Sequence, residues 1–170
     1  MNPLRRSYEA RVLVVPLGPG SAQLVEELLT LGVEGVQVLT GPDPVEALTE
    51  PLGEDAWMPP APASTTTITE SADMVVLVGT DLTQVPEPVV REVCTAAREG
   101  GDLIAAVLVA PEHWEEPAGA SAMVTLRQEV DMLVSVRGPE LLAALLDVLR
   151  GGARTEDHPE VAAQPAEVSA

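Results

Sequence analysis

The chain has 170 residues, 46% of them hydrophobic, with 9 basic and 27 acidic side chains that give a formal net charge of −18. This length suits one domain with a substantial core, and so negative a surface repels nucleic acid and anionic lipid, so neither is expected as a partner. The single cysteine, Cys94, the lack of a signal-type segment and the lack of an apolar run of about 20 residues predict a cytoplasmic protein without membrane insertion.

The first part of the chain predicts two strands with a helix between them. Residues 11–17 (RVLVVPL) form a continuous apolar run, typical of a strand that is covered on both faces. Residues 18–32 carry Leu and Val at helical spacing and end in glycine, which indicates a helix. Residues 35–41 (GVQVLTG) predict a second strand. Residues 42–50 predict a helix that begins at Asp43. Proline residues lie near both of its ends, so the helix is expected to be short.

The texture changes at residues 51–72, which are rich in Pro, Ser and Thr. We expect an irregular connection there, which could include a short edge strand around Thr65 to Thr69. Beyond it, three strands alternate with three helices: strands 74–78, 103–109 and 132–136, and helices 86–99, 119–129 and 139–150.

This alternation predicts an α/β fold: a three-layer, Rossmann-like, mostly parallel sheet with helices on both faces and right-handed crossovers. The domain is expected to span residues 11–152. Residues 1–10 are predicted to be a flexible N-terminus, and residues 153–170, which are acidic and rich in Pro and Ala, a disordered tail.

Ligands of open α/β sheets bind beyond the carboxyl ends of the strands, so the loops at that edge are the places for a site. The first loop, PLGPGSA, contains Gly18, Gly20 and Ser21 at the start of a helix. Its backbone amides could hold an anion. A tight turn from strand to helix needs glycine in any case, so both interpretations remain open at this point.

Three segments, in the right order, resemble the nucleotide-binding domain of the FtsZ/tubulin GTPase family. The stretch RVLVVPLGPGSAQLVEELLTLGVEGVQVLTGPDPVEAL is similar to the opening of that domain. ADMVVLVG with PVVREV resembles its fourth strand and the helix after its glycine-rich signature loop, and LRQEVDMLVSVRGPELL resembles a later segment. The similarity covers roughly residues 10–150. It implies the fold of the family's N-terminal, nucleotide-binding half.

The departures from the family fall on the residues that would hold a nucleotide. Pro19 interrupts the first loop and brings no amide donor to a phosphate. In the second loop Gly79 is the one glycine, and Leu82 and Val85 would obstruct a close approach of the backbone to phosphate. Asp81 adds negative charge where the phosphate would lie.

If nucleotide binding were retained, the resemblance would place these residues in the site: Gly18, Gly20, Ser21, Gly79, Thr80, Thr83 and Glu115. Glu115 matches a position in the family's ribose loop and could accept a hydrogen bond from a ribose hydroxyl, although an exposed carboxylate without such a role is the simpler interpretation. His113, in the same acidic loop (EHWEEP), is expected to be solvated and not to bind a metal. No catalytic residue is predicted.

These observations predict a pseudo-GTPase, an FtsZ-like protein without a cofactor that acts as a binding or regulatory module by associating with FtsZ or with a second copy of itself. The alternative is a guanine-nucleotide-binding protein that retains GTP or GDP and has weak or partner-completed GTPase activity. A third interpretation is an α/β module that binds another small anion in the first loop.

Overall fold

The computed structural model of the chain describes residues 9–151. The predicted tail from residue 153, and residues 1–8 of the predicted N-terminal segment, lie outside the described residues. The strands are β1 Val12–Pro16, β2 Val36–Gly41, β3 Leu48–Leu52, β4 Met74–Asp81, β5 Leu103–Glu112 and β6 Met132–Val136. The helices are α1 Pro19–Thr30, α2 Thr65–Ser71, α3 Glu87–Gly100, α4 Pro117–Glu129 and α5 Pro139–Arg150, with a 3-10 turn at Leu82–Gln84.

The six strands form one sheet in the order β3–β2–β1–β4–β5–β6. Neighbouring strands are parallel, except that β3 runs antiparallel to β2. The predicted α/β fold with a mostly parallel sheet is therefore confirmed. Because the chain moves outward from β1 to β2 and then returns to the other side of β1 for β4, the topological switch point lies between β1 and β4.

Helices cover both faces of the sheet. Along β1, Val12 and Val14 belong to the core formed with α1 and α5, while Leu13 and Val15 belong to the core formed with α2, α3 and α4. Successive side chains of a strand point to opposite faces, and here both faces are buried. The continuous apolar runs in the sequence follow from this arrangement.

The short helix predicted over residues 42–50 is wrong. Asp43 Oδ1 instead accepts hydrogen bonds from the amides of Val45 and Glu46, each at 2.8 Å. This side chain therefore forms a turn, which competes with a helix for the same backbone donors. The chain then enters β3, and Pro51 lies in this edge strand, where proline is tolerated.

The edge strand considered around Thr65 to Thr69 is also wrong, since these residues lie in α2. Ser64 Oγ accepts a hydrogen bond from the amide of Thr67 at 3.1 Å and caps the helix. Ile68 is buried in the core that α2 shares with α3. A capping serine together with this tertiary contact outweighs the strand preference of the threonines.

The irregular connection is accordingly shorter than the predicted residues 51–72 and runs between β3 and α2. Trp57 fixes it to the sheet, because its Nε1 donates to the carbonyl oxygen of Val12 at 2.8 Å. Gln37 Nε2 donates to the carbonyl oxygen of Trp57, also at 2.8 Å. Within residues 9–151, no helix has the length and apolar character that crossing a membrane requires.

Candidate functional site

The candidate site is the switch point, where the loops after β1 and β4 lie side by side at the carboxyl edge of the sheet. The amide of Leu17, just beyond β1, donates to the carbonyl oxygen of Val78 in β4 at 2.8 Å. Strand β4 extends to Asp81, three residues beyond its predicted end. Gly79 and Thr80 therefore lie within the strand, and the second loop begins only at Leu82.

The N-terminus of α1 uses its backbone groups within the chain. Gly18 is its N-cap, with φ +104° and no side chain to cap the helix. Pro19 has no N–H. The amides of Ser21 and Ala22 donate to the carbonyl oxygen of Gly18 at 3.1 and 3.2 Å. A helix N-terminus binds an anion through the N–H groups that precede the first i→i−4 bond. Here Pro19 has no such group, and that of Ser21 is bonded to Gly18.

The remaining position is covered by the second loop. The amide of Gly20 donates to Oε1 of Gln84 at 3.4 Å. A Cβ atom added to Gly18 would lie 2.8 Å from Cβ of Gln84, and one added to Gly20 would lie 2.8 Å from Oγ1 of Thr80. The two glycines therefore permit the second loop to pack directly against the first.

The residues expected to obstruct the second loop were wrongly identified. Leu82 is 1% exposed and belongs to the core beneath α3, and Val85 packs against the same core. Gln84 and Thr80 make the contacts with the first loop instead. Sequence reasoning did not select Gln84, because the direction of its side chain depends on how the 3-10 turn leaves β4.

Asp81 organises this 3-10 turn. Its Oδ1 accepts hydrogen bonds from the amide and the hydroxyl of Thr83 at 3.0 and 2.6 Å, and it lies 3.0 Å from Nδ1 of His113. The hydrogen bond from the Thr83 hydroxyl, followed by that from His113, lowers the pKa of Asp81 below its ordinary value. A carboxylate held in this way stays ionised, and it fixes the backbone that carries Gln84.

His113, expected to be solvated, is half-exposed and bound to Asp81. Its hydrogen bond to Asp81 raises the pKa of the imidazole, and Nε2 lies 3.8 Å from a carboxylate oxygen of Glu116. The backbone of His113 is left-handed, with φ +63°, and a Cβ atom on Gly119 would collide with its carbonyl oxygen. A sequence signal existed, since Asp81 and His113 follow neighbouring parallel strands and such strand ends meet at one edge.

The structure separates the predicted site residues into two groups. Gly18, Gly20 and Thr80 lie together at the switch point. Ser21 is fully buried and its Oγ donates to the carbonyl oxygen of Leu17 at 3.2 Å, so it faces away from any ligand. The others occupy different places: Gly79 packs against Leu108 in the sheet, Thr83 binds Asp81, and Glu115 is exposed in the loop between β5 and α4.

A groove of about 560 Å³ lies beside the switch point, between α1 and strands β2 and β3. Its walls are mainly apolar, and the charged residues among those that line it are Glu26 and Glu50. Two carboxylates with no cation oppose an anionic group there. The groove therefore gives no electrostatic help to a nucleotide phosphate.

Comparison with family models found no match, and comparison with curated proteins found none. Among solved structures, the conserved hypothetical protein BatB from Bacteroides thetaiotaomicron is similar over 83% of this chain and 98% of its own. The identity is 10% and the TM-score 0.42. A match at this level assigns neither a family nor a function to the chain.

Proposed function

We propose that this chain is a pseudo-GTPase with an FtsZ-like nucleotide-domain fold, whose role is to bind and regulate a protein partner. The proposal rests on one observation: Gln84 and Thr80 occupy the space in front of Gly18 and Gly20, where a phosphate would bind. The chain supplies its own polar group to the helix N-terminus and so takes the place of a ligand.

Energetic considerations support this role. An incoming triphosphate would have to displace Gln84 from the amide of Gly20, and it would find no N–H on Pro19. It would also approach a chain with a net charge of −18, whose field opposes an anion over several ångströms. All three effects weaken phosphate binding.

The FtsZ-type fold is part of the proposal. The three segments that resemble the family correspond to β1–α1–β2, to β4 with α3, and to the end of α4 with β6 and α5. They contain four of the six strands of the sheet, and the first two segments contain β1 and β4, the strands on either side of the switch point. The same resemblance is the reason for proposing FtsZ, a member of that family, as the partner.

Isothermal titration of the full chain with GTP and GDP in magnesium buffer tests the lost nucleotide site. We expect no binding heat at ligand concentrations up to about 1 mM, and a polymerising FtsZ titrated in parallel serves as the positive control. Saturable binding with a Kd in the micromolar range would overturn the pseudo-GTPase and support the guanine-nucleotide-binding alternative. Pyrophosphate in a further titration tests the small-anion interpretation.

One observation favours that alternative: the bond from Gly20 to Gln84 is 3.4 Å long and therefore weak. A nucleotide with enough compensating contacts could displace the glutamine. If titration detects binding, the Gln84→Ala variant should bind more tightly, because the competing side chain is gone.

Co-sedimentation with FtsZ from the same organism tests the partner. We expect the chain to enter the pellet when FtsZ polymerises with GTP, and to remain in the supernatant when FtsZ is held in GDP. Absence from a pellet that contains polymer, with no change in polymer mass, would reject FtsZ as the partner.

A further inference from the structure

Strand β6 ends the sheet, and its outer edge lacks the usual protection. Its sequence, MLVSV, contains no charge, proline or glycine, whereas natural edge strands are commonly blocked by such residues. The opposite edge strand, β3, carries Glu50 and Pro51. An edge of this kind is suited to pairing with another strand.

The backbone groups available on β6 can be identified. The amide of Asp131 donates to the carbonyl oxygen of Ile104 at 2.9 Å and so points toward β5. The amide of Leu103 donates to the carbonyl oxygen of Asp73 in front of β4, so alternate residues of β5, beginning with Ile104, face β6.

In the parallel register that places Val107 beside Val134, the even-numbered residues of β6 therefore bond to β5. Leu133 and Ser135 direct their N–H and C=O groups outward. Within residues 9–151, no strand pairs with this side of β6.

Helix α5 adds an apolar stripe beside this edge. Leu141, Leu145 and Val148 share one helical face, and Leu141 and Val148 are 51% and 59% exposed. The side of α5 that faces the C-terminal end of α1 carries Ala144 and Asp147, which line a groove with residues 31–34 just after α1. The stripe therefore lies on the side away from α1, toward β6.

Helix α4 adds a second apolar flank beside β6, on the other face of the sheet. Its α3 side carries Thr125 and Glu129, which bond to arginines of α3. Its other side borders a groove of about 480 Å³ that reaches β6 at Ser135. Four further residues of this groove are Met123, Val124, Arg127 and the exposed Trp114. We define β6 and these two flanks of α4 and α5 as the β6 face.

The charges at the ends of β6 indicate which strand would pair with it. Asp131 precedes the strand and Arg137 follows it. If a second β6 paired antiparallel about Val134, each Asp131 would lie opposite the other copy's Arg137. A parallel pairing would place like charges together, which is unfavourable. The strand is thus complementary to itself in one orientation.

We propose that the β6 face is a self-association surface, through which two copies of the chain join their sheets antiparallel about a two-fold axis. The outward groups of Leu133 would bond to those of Ser135 in the other copy, and the outward groups of Ser135 to those of Leu133. A two-fold axis perpendicular to the sheet keeps its faces aligned, so α5 meets α5 and α4 meets α4, as an isologous interface requires.

This inference deepens the proposed binding role by naming a second copy as a partner. It uses no residue of the switch point. Nucleotide titration and the measurements below can therefore fail independently of one another.

Sedimentation velocity of the full chain is the direct test, over concentrations from about 1 to 100 µM. We expect a species with twice the 17.8 kDa mass of one chain, in exchange with the single chain at the lowest concentrations. A mass of one chain throughout this range would overturn the proposal.

Two variants locate the interface. Ser135→Pro removes an outward N–H that β5 does not use, so the fold tolerates it, and Val148→Glu places a charge in the α5 stripe. Both should weaken dimerisation by at least about tenfold. Ala144→Glu adds the same charge to the α1 side of α5. Its dimer dissociation constant should stay within about twofold of the wild-type value. Circular dichroism checks that each variant is folded, and dimerisation unchanged by both interface variants would overturn the assignment.

Discussion

The switch point and the β6 face belong to the same sheet but differ in whether their polar groups have hydrogen-bond partners within the described chain. At the switch point, the amide of Gly20 is bonded to Gln84 and the carboxylate of Asp81 to Thr83 and His113. At β6, backbone groups of a five-residue strand point away from the sheet. The place where α/β folds usually bind ligands is filled by the chain itself, while the edge remains available.

This difference bears on how a function is assigned to such a fold. Fold class directs attention to the carboxyl ends of the strands, yet function depends on the groups present in the site. Following each hydrogen-bonding group to its partner leads here to a proposed protein-binding role in place of nucleotide chemistry. The predictions below alter one region at a time.

The largest effect is expected for Gly18→Ala, which disturbs the closed region. Its backbone, with φ +104° and ψ 171°, is accessible essentially to glycine alone, and the new Cβ would lie 2.8 Å from Cβ of Gln84. We expect the free energy of unfolding to fall by about 3 kcal/mol, measured by urea denaturation.

Gly32→Ala is the matched control for this substitution. Gly32 also has a positive φ, +88°, but nothing lies within 4 Å of the position of its added Cβ. The free energy of unfolding of this variant should fall by about 1 kcal/mol, from backbone strain alone. Equal losses in the two variants would show that packing of the two loops against each other contributes little.

Exchanging the charges at the two ends of β6 tests the proposed antiparallel pairing. Arg137→Asp would place two carboxylates opposite each other at both ends of the paired strands, and Asp131→Arg would do the same with two cations. Each variant should dimerise about tenfold more weakly than wild type. An equimolar mixture of the two should form heterodimers of wild-type strength, since every end then pairs opposite charges.

Sedimentation of the two separate variants and of their mixture measures this effect. Asp131 Oδ2 also accepts the amide of Ile104 at 2.9 Å, so unfolding curves must accompany the Asp131→Arg data. If the mixture associates no better than the separate variants, antiparallel pairing about Val134 is wrong.

A smaller effect is expected for Gln84→Ala, which reopens the space in front of α1. The bond to Gly20 is long, so its loss should cost less than about 1 kcal/mol. GTP binding should remain undetectable by titration, because Pro19 still lacks an N–H and Asp81 keeps its charge. Gln23→Ala, at an exposed glutamine of α1, is the control. Nucleotide binding gained by Gln84→Ala alone would mean that one side chain closes an otherwise functional site.

The sequence was sufficient to predict those parts of the fold that depend on burial. Continuous apolar runs identify β1 and β4 because both faces of these strands are covered by helices. Local patterns failed where a side chain bonds to the backbone nearby. Asp43 forms a turn in place of a helix, and Ser64 caps a helix in place of a strand.

The closed state of the switch point was predicted only in outline. The scarcity of glycine and the proline predicted that these loops do not bind phosphate, but Gln84 lies 64 residues from its partner Gly20. Its role depends on the relative position of two loops. The bond between Asp81 and His113 spans 32 residues. Its sequence signal is that both residues stand at the ends of neighbouring parallel strands, which requires the strand order and not local spacing alone.

The smallest effect concerns pH and the hydrogen bond between Asp81 and His113. Because the pKa of His113 is raised from 6.5 in the folded chain, its contribution to stability is fully present below pH 6.5 and is lost as the pH rises through the raised pKa. The pKa of Asp81 is lowered from 3.8, so its contribution is present above pH 3.8 and is lost as the pH falls through the lowered value. Together they favour the closed loops most in mildly acidic solution.

Proton NMR titration of the His113 ring measures this effect directly. We expect a midpoint above 6.5 in the wild-type chain and a lower one in Asp81→Asn, which keeps the shape of the side chain but removes its charge. Without the charge of Asp81, desolvation still lowers the pKa of His113 while Glu116 and Glu112 raise it, so the midpoint in Asp81→Asn should lie closer to the ordinary value than in the wild-type chain. Glu116→Gln should lower it less than Asp81→Asn does, because the carboxylate of Glu116 lies 3.8 Å from the ring and that of Asp81 3.0 Å. If Glu116→Gln lowers the midpoint more than Asp81→Asn does, the imidazole is held mainly by Glu116 in its own loop. The hydrogen bond between Asp81 and His113 would then not form in solution.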